Sequence, residues 1–159
     1  MSARVLVGIL IGSESDRETM SESVLVLDRF GVGSELRVLS AHRSPDAVRE
    51  YARGARGRGV QVLICGAGMA AHLAGAVAAS TTLPVLGVPL TGGALNGVDA
   101  LLSTVQMPAG IPVGTLAIGK TGARNAAVLA VEILSLADPA LATALEGLKE
   151  SLARGEPLI

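Results

Sequence analysis

A histidine and an arginine stand side by side where a short apolar run ends. In the stretch VLSAHRSPDAV, residues 38–48, Ser40, His42 and Arg43 come before Ser44-Pro45-Asp46. The second group predicts a helix start, with serine as N-cap, proline at the first helical position and an acid in the first turn. Capping does not explain the first group. Histidine carries protons near neutral pH and arginine grips phosphate or carboxylate, so this position favours a functional site over a solvated surface histidine.

A second polar loop, GSESD at residues 12–16, directly follows the first apolar run. The hydroxyls of Ser13 and Ser15, with the backbone N–H groups of a following helix, suit a phosphate. Ser13 and Asp16 also have the spacing of a capping box, which needs no ligand. Both interpretations stay open. The loop lacks the G-x-G-x-x-G glycines of a dinucleotide fingerprint.

A third loop, CGAGMAAHLAG at residues 65–75, is rich in small residues. Gly66 and Gly68 let the backbone approach a ligand closely, and the alanines around them leave space. We expect His72 about one turn into the next helix, either as a hydrogen-bonded histidine buried at an interface or as a chemical group. Cys65 is expected to pack as a small hydrophobe.

The stretch GTLAIGKT, residues 114–121, matches the phosphate-binding pattern G-x-x-x-x-G-K-[ST]. Its middle residues have the composition of a strand, not of an open loop. It also follows the last predicted strand, so no later strand can supply a magnesium-binding acid. These two points disfavour nucleotide hydrolysis. No metal site is predicted either, because His42 and His72 lie in separate loops without a cysteine pair or acidic cluster nearby.

Alternating apolar runs and helical patterns position these loops. Strands are predicted at residues 5–11, 36–39, 60–65, 85–88 and 113–118. Helices are predicted at residues 16–30, 45–58, 70–79, 97–105, 123–136 and 139–154. Short strands that alternate with helices predict an α/β fold with a parallel sheet covered on both faces. Ligands of such sheets bind beyond the carboxyl ends of the strands, where the polar loops lie.

The overall composition narrows the class of protein. The chain has 159 residues, one Tyr, one Phe and no Trp, with a formal net charge of -1. A length of this kind fits one domain, residues 1–159. The near-neutral charge and the scarcity of aromatics argue against nucleic-acid binding. A single cysteine cannot form an internal disulfide, and a strand that begins near residue 4 leaves no room for a signal peptide. We therefore expect a cytoplasmic protein.

The charged residues avoid the middle of the chain. Asp99 is the only Asp, Glu, Lys or Arg between residues 59 and 119. Glycines and prolines cut this span into short pieces, which excludes a membrane helix. A domain of this size cannot bury so much apolar chain alone. We therefore predict subunit interfaces and a homo-oligomer.

Taken together, the motifs resemble the class I N5-carboxyaminoimidazole ribonucleotide mutases of purine biosynthesis. The matching stretches, in order, are GSESD, SAHRSP, GAGMAAHLAG, PVLGVPL, LNGVDALLSTVQMPAGIPVGTLAIGK and NAAVLAVEIL. They run from about residue 5 to residue 136. The resemblance implies a three-layer α/β sandwich with a flavodoxin-like parallel five-stranded sheet. It also implies a homo-octamer, in which we expect the C-terminal helices, about residues 123–154, to pack.

The resemblance also implies roles for individual residues. Ser13, Ser40 and Arg43 would hold the substrate phosphate, Asp16 would contact the ribose, and His42 would transfer the proton. The loop around Gly68 would enclose the migrating carboxylate. The remaining residues of the implied substrate site are Ser15, Ala70, Ala71, His72 and Leu73.

The implied reaction is an isomerisation that needs neither ATP nor a metal, and no cofactor is expected. N5-carboxyaminoimidazole ribonucleotide would lose CO2, which stays enclosed and is added back at C4 of the imidazole. A distant phosphate anchor positions the reacting ring, and one histidine can serve as acid and base in turn. A small-molecule phosphorylated imidazole ribonucleotide is thus the expected ligand.

Two rival functions remain open. A class II relative would carboxylate aminoimidazole ribonucleotide directly, although the AAHL run at residues 70–73 favours the mutase. A non-catalytic flavodoxin-like module would need aromatic residues that stack on its flavin. A receiver module would instead need an aspartate after the third strand. The chain departs from the mutase pattern at Arg17, Ala74 and Gly92. The first replaces a tryptophan, the second a proline and the third a serine.

Overall fold

The computed structural model describes residues 4–159, along which strands and helices alternate. The strands are β1 (Val7–Ile11), β2 (Ser34–Val38), β3 (Val62–Gly68), β4 (Val85–Leu90) and β5 (Gly114–Thr115). The helices are α1 (Arg17–Arg29), α2 (Pro45–Ala55), α3 (Leu73–Ala78), α4 (Val98–Val105), α5 (Lys120–Ser135) and α6 (Pro139–Ala153). Short 3-10 turns precede α1 at Glu14–Asp16 and follow α2 at Arg56–Arg58.

The five strands form one sheet in the order β2-β1-β3-β4-β5, and every pair is parallel. Ile9 of β1 stands opposite Leu36 of β2 on one side and Ile64 of β3 on the other. In this order β1 and β3 are central neighbours, and the chain leaves them toward opposite edges of the sheet. The predicted flavodoxin-like α/β fold is confirmed, and the place for a ligand is the crevice beyond the carboxyl ends of β1 and β3.

The two faces of the sheet carry separate apolar cores. On one face Val7, Ile9 and Ile11 of β1 pack with α1, α5 and α6, where alanines of α5 allow close approach. On the other face Leu10 packs with α2 and α3. Alternate residues of a strand point to opposite faces, so the continuous apolar run of β1 serves both cores. The result is the three-layer arrangement that the motifs implied.

The third and fourth strands extend farther than their apolar runs predicted. β3 continues through Gly66 to Gly68, where it pairs with Leu90 of β4. A Cβ atom built on Gly66 would lie 2.5 Å from the sulfur of Met20, so a larger residue here would require the Met20 side chain to shift. Gly66 to Gly68, which the sequence predicts to lie in a loop, therefore form the end of β3. The residues that follow them begin at the carboxyl end of the sheet.

The fifth strand is shorter than predicted, at two residues instead of six. Beyond it the chain still follows β4, because Leu116 N–H donates to the Gly87 carbonyl and Gly119 N–H to the Pro89 carbonyl, both at 2.9 Å. Backbone N–H groups that are committed to β4 cannot cradle a phosphate. The GTLAIGKT stretch thus lacks the open loop of a nucleotide-binding motif.

Three helices differ from their predicted bounds by more than one residue at an end. α2 tightens into a 3-10 turn after Ala55, and α5 begins three residues early, at Lys120. α3 begins only at Leu73, so the prediction that His72 lies one turn inside this helix is wrong. A bend at Met69 and Ala70 separates the extended β3 from α3. Among the described residues no helix is long and apolar enough to span a membrane.

Candidate functional site

A cavity of about 540 Å³ lies beyond the carboxyl ends of β1 to β4. It is lined by the loops that follow these strands, as expected of an open parallel sheet. The lining residues are Gly12, Ser13, Ser15, Asp16, Ser40, Ala41, His42, Arg43, Ala67, Gly68, Met69, Ala70, His72, Leu73, Thr91 and Gly92. All sequence-predicted site residues except Ala71 are in this set.

The first loop presents two hydroxyl groups at the start of a 3-10 turn. Ser13 has an extended backbone, and its Oγ accepts from the Ser15 N–H at 3.4 Å and the Ser15 hydroxyl at 3.0 Å. The serine therefore caps a short turn, and α1 begins afterwards at Arg17. Both hydroxyls border the cavity while they hold the turn, so the capping and binding interpretations are compatible at this loop.

Asp16 is half-buried beside these hydroxyls. Burial raises the pKa of its carboxyl, and the nearby Ser13 backbone and Ser15 side chain oppose part of that rise. Asp16 and Arg43 are the only Asp, Glu, Lys or Arg among the described lining residues. The cavity thus has one negative and one positive pole.

The second loop is held by serine hydrogen bonds. The Arg43 N–H donates to Ser40 Oγ at 3.2 Å, which leaves the Ser40 O–H able to donate to a ligand. The Ser44 hydroxyl donates to the Ser40 carbonyl at 3.1 Å. Ser44 stands at the N-cap position of α2 as predicted, but its side chain makes no cap hydrogen bond, because it turns back to Ser40 instead.

The guanidinium of Arg43 bridges two loops. Its Nη2 donates to the Gly12 carbonyl at 2.9 Å, although Arg43 and Gly12 are 31 residues apart. Among the described residues no carboxylate forms an ion pair with Arg43. An arginine held by a neutral carbonyl keeps its full charge and several N–H donors for an anion.

The third loop brings the two histidines of the chain together. His42 Nε2 lies 2.7 Å from His72 Nδ1, and the ring centroids are 4.7 Å apart with an interplanar angle of 74°. The same Nδ1 of His72 lies 2.8 Å from the Ala70 carbonyl oxygen. His72 occupies the N-cap position of α3 but is exposed to the cavity. His72 is thus hydrogen-bonded and faces the cavity in the single chain, and its burial at a subunit interface stays a prediction.

The rest of this loop forms a small-residue wall. A Cβ on Gly68 would make an ordinary van der Waals contact with the Leu90 carbonyl oxygen, at 3.4 Å, where β3 and β4 end. Ala70 and Leu73 border the cavity, whereas Ala71 is 2% exposed and lies behind the wall. Cys65 is buried as predicted, and burial raises the pKa of its thiol, so it is an inert packing residue.

The three departures from the mutase pattern lie in different environments. Arg17 forms an ion pair with Glu14 and does not line the cavity. Ala74 is buried in the core between α3 and the sheet. Gly92 alone lines the cavity, where it follows β4. Two of the three departures thus leave the cavity wall unchanged.

Six lining residues are not among the sequence-predicted site residues: Gly12, Ala41, Ala67, Met69, Thr91 and Gly92. Met69 has a left-handed backbone with φ 54° and is 58% exposed at the cavity. Thr91 directly follows β4, so the rule that ligands bind beyond strand ends could have found it. Nothing in the residue type of Met69 indicates a cavity position.

The described residues contain no group of three or more His, Cys, Asp or Glu arranged to hold a metal ion. The cavity instead combines two sets of polar groups. Arg43 and the serine hydroxyls suit an anion, and the contact between His42 and His72 joins the second and third loops. An open parallel α/β sheet with such a crevice is the architecture of enzymes that bind small phosphorylated molecules.

Comparison with known proteins identifies the family. The family model described as AIR carboxylase matches residues 6–154, which is nearly the whole chain. The chain belongs to the AIR carboxylase family.

Two of the similar proteins carry the same name. The N5-carboxyaminoimidazole ribonucleotide mutase of Bacillus subtilis (strain 168) is 56% identical, over 92% of this chain and 90% of the relative. The protein of the same name from Pyrococcus abyssi (strain GE5 / Orsay) is 53% identical, over 93% of this chain and 84% of the relative. Among solved structures, Treponema denticola PurE superimposes with a TM-score of 0.86 at 29% identity, over 96% of this chain and 94% of that one.

Proposed function

We propose that this protein is an isomerase that converts N5-carboxyaminoimidazole ribonucleotide into 4-carboxy-5-aminoimidazole ribonucleotide in purine biosynthesis. The observation that carries the proposal is the single cavity that joins Arg43, the serine hydroxyls and His42 in a chain 56% identical to a mutase. Each group of the cavity has a counterpart in the substrate: a phosphate, a ribose, and a ring that exchanges a proton.

Arg43, Ser13 and Ser40 bind the substrate phosphate in this proposal. Arg43 is fixed on the Gly12 carbonyl and is free of carboxylates among the described residues, which supports a role in anion binding. Ser15 lies within the same loop and completes the set of hydroxyl donors. Asp16 at the inner side of the loop contacts the ribose, because a carboxylate accepts hydrogen bonds from sugar hydroxyls.

His42 moves the proton of the reaction. When the N5–carboxyl bond breaks, its electron pair stays on N5, which takes up a proton, and CO2 is released. When C4 attacks that CO2, a C–C bond forms and the C4 proton leaves. Atoms and electrons balance with one proton donated and one recovered, so a single acid–base residue suffices. The exposed position of His42 within the cavity supports this role.

The residues from Gly68 to Leu73 enclose the CO2. Their side chains at the cavity wall are small or apolar, apart from His72. Apart from His72, such a wall offers CO2 no nucleophile and offers water few polar side chains to bind. Remote phosphate binding then positions the ring over the enclosed CO2, which raises the chance of recapture.

An isotope experiment tests this function. Purified protein is given N5-carboxyaminoimidazole ribonucleotide in buffer that contains ¹³C-bicarbonate, and the product carboxylate is analysed by mass spectrometry. An isomerase that encloses CO2 yields mostly unlabelled product, at a rate independent of bicarbonate. Full labelling, or turnover only of aminoimidazole ribonucleotide with bicarbonate, would assign the protein to the direct carboxylases instead.

A non-catalytic flavodoxin-like module is the alternative from another class. None of the described lining residues is Phe, Tyr or Trp, so an isoalloxazine ring finds no aromatic stacking partner. An absorbance spectrum of the purified protein with flavin bands would revive this alternative.

We also propose that residues 1–159 form one mutase domain that acts as a cytoplasmic homo-oligomer, an octamer by resemblance. An exposed apolar stripe supports oligomerisation, with Leu95, Val98, Leu102 and Val105 each about half exposed. The C-terminal helices present Leu136 and Leu152 as further contacts.

A further inference from the structure

The contact between the two histidines carries information about where their hydrogens lie. His72 Nδ1 has two close neighbours, the Ala70 carbonyl oxygen at 2.8 Å and His42 Nε2 at 2.7 Å. A carbonyl oxygen only accepts hydrogen bonds, so its neighbour must be the donor. His72 Nδ1 therefore carries a hydrogen, and a neutral His72 has its lone pair on Nε2.

This assignment determines the state of His42. A single hydrogen on His72 Nδ1 is shared between the Ala70 oxygen and His42 Nε2, so His42 Nε2 must offer a lone pair. A neutral imidazole has one N–H, which for His42 then lies on Nδ1. In the reverse arrangement His42 Nε2–H would donate to a lone pair on His72 Nδ1. That lone pair would face the lone pairs of the Ala70 oxygen at 2.8 Å without a hydrogen between them.

The backbone keeps His72 in place for this contact. The His72 N–H also donates to the Ala70 carbonyl at 2.8 Å, and the His72 carbonyl accepts from the Ala76 N–H at 3.0 Å. His72 is thus fixed at the beginning of α3, with its ring held against Ala70. His42, by contrast, is exposed in a loop and has no ring hydrogen bond besides the one to His72 among the described residues.

We infer that His72 is a positioning residue that holds His42 in one neutral tautomer, with the hydrogen on Nδ1 and the lone pair on Nε2. His72 neither binds the migrating proton nor touches the reacting atoms in this role. The inference rests on the proposed function of His42 as the proton carrier, because the tautomer decides which ring nitrogen donates and which accepts. A wrong tautomer has to exchange its hydrogen before it can react.

Nitrogen NMR reads the tautomer directly. With only two histidines in the chain, ¹⁵N side-chain spectra of the labelled protein contain two ring systems, and a His72 variant assigns both. The expected wild-type result is a protonated Nδ1 and an unprotonated Nε2 on His42 at a pH where the ring is neutral. His72→Phe removes the donor and keeps a ring, so His42 should then populate the Nε2–H form. In His72→Asn the amide N–H lies near the former Nδ1 position and should restore the wild-type tautomer.

Turnover should follow the tautomer. His72→Phe is expected to lower kcat by roughly three- to ten-fold, the effect of one neutral hydrogen bond, and His72→Asn should recover most of the loss. A merely structural role would lower the melting temperature of both variants and leave the His42 spectrum unchanged. An Nε2–H form of His42 in the wild type, or equal kcat in all three proteins, would overturn the inference. The NMR result stands even if the wild type lacks mutase activity, so failure of the proposed function is separately visible.

Discussion

Arg43 donates from its guanidinium to the backbone carbonyl of Gly12 at 2.9 Å. Gly12 follows β1 and Arg43 follows β2, so one hydrogen bond joins the loops of two adjacent parallel strands. The bond holds the guanidinium at the cavity that Ser13 and Ser15 also line, without neutralising it. A guanidinium held in this way has less conformational freedom to lose on binding the proposed phosphate, which would reduce the entropic cost of binding.

Arg43→Ala should weaken binding of the phosphorylated product about 10- to 100-fold, since a hydrogen bond to a charged group contributes about 1.5–3 kcal/mol. Calorimetric titration with 4-carboxy-5-aminoimidazole ribonucleotide measures this loss. Arg49→Ala is the matched control, because Arg49 pairs with Asp46 on the exposed face of α2 and does not line the cavity. Equal weakening for the unphosphorylated riboside would contradict the phosphate role of Arg43.

His42→Asn should lower kcat by about 10²- to 10⁴-fold, the usual contribution of a general acid–base residue, while ribonucleotide binding persists. Asparagine keeps a polar group of similar reach but cannot carry a proton at neutral pH. Steady-state turnover and calorimetric binding on the same sample separate the two effects. Substantial residual turnover would remove His42 from the chemical step.

The positions of the polar loops could be predicted from the sequence because the fold leaves them little choice. In a parallel sheet every strand delivers its following loop to one edge, so Ser13, His42 and Arg43 had to converge. Distances within the cavity were not predictable in this way. The contact between His42 and His72 depends on where α3 begins, which no residue type marks.

The strand ends show why local patterns misplace boundaries. Gly66 and Gly68 have low strand propensity, yet they extend β3 because β4 and Met20 pack against them. Conversely, Leu116 and Ile118 are apolar residues within the predicted strand, but they lie beyond the two residues of β5. Tertiary packing overrides propensity at both places, and it is not visible in a window of a few residues.

Gly122→Ala should destabilise the protein by about 3 kcal/mol, at the upper end of the cost of overpacking. A Cβ at this buried position would lie 1.6 Å from the Ala117 carbonyl oxygen, which belongs to the backbone and cannot rotate away. The matched control is Gly147→Ala in α6, where nothing lies within 4 Å of the new methyl group. That change should stabilise by about 1 kcal/mol through helix propensity. Urea unfolding of both variants measures the difference, and equal destabilisation would contradict the close approach at Gly122.

Asp16 should make the stability of the protein depend on pH. Because burial raises the pKa of its carboxyl in the folded state, the protonated form favours folding. This contribution is fully present below the ordinary aspartate pKa and is lost as the pH rises through the raised value. Asp16→Asn should therefore be more stable than the wild type at pH 7.5, and the gap should shrink toward pH 4.5. Urea unfolding at both pH values measures the gap, and a gap that widens on acidification would contradict the assigned burial.

The stripe on α4 should hold copies of the chain together. Val98, Leu102 and Val105 recur at helical spacing and are each about half exposed, which leaves an apolar helix face uncovered in the single chain. A charge in the middle of a buried interface is costly, so Leu102→Glu should shift the protein to a smaller species in light scattering coupled to size exclusion.

Leu25→Glu is the matched control for this interface, because Leu25 is equally exposed on α1 but stands among polar residues. The control variant should elute with the wild type, well above the 16.0 kDa of one chain. The turnover of Leu102→Glu then reports whether the cavity works in the separated chain. Since Thr91 and Gly92 line the cavity and lead into α4, we expect turnover to fall when the assembly is lost. A wild-type protein that is a clean monomer at low micromolar concentration would contradict the oligomer altogether.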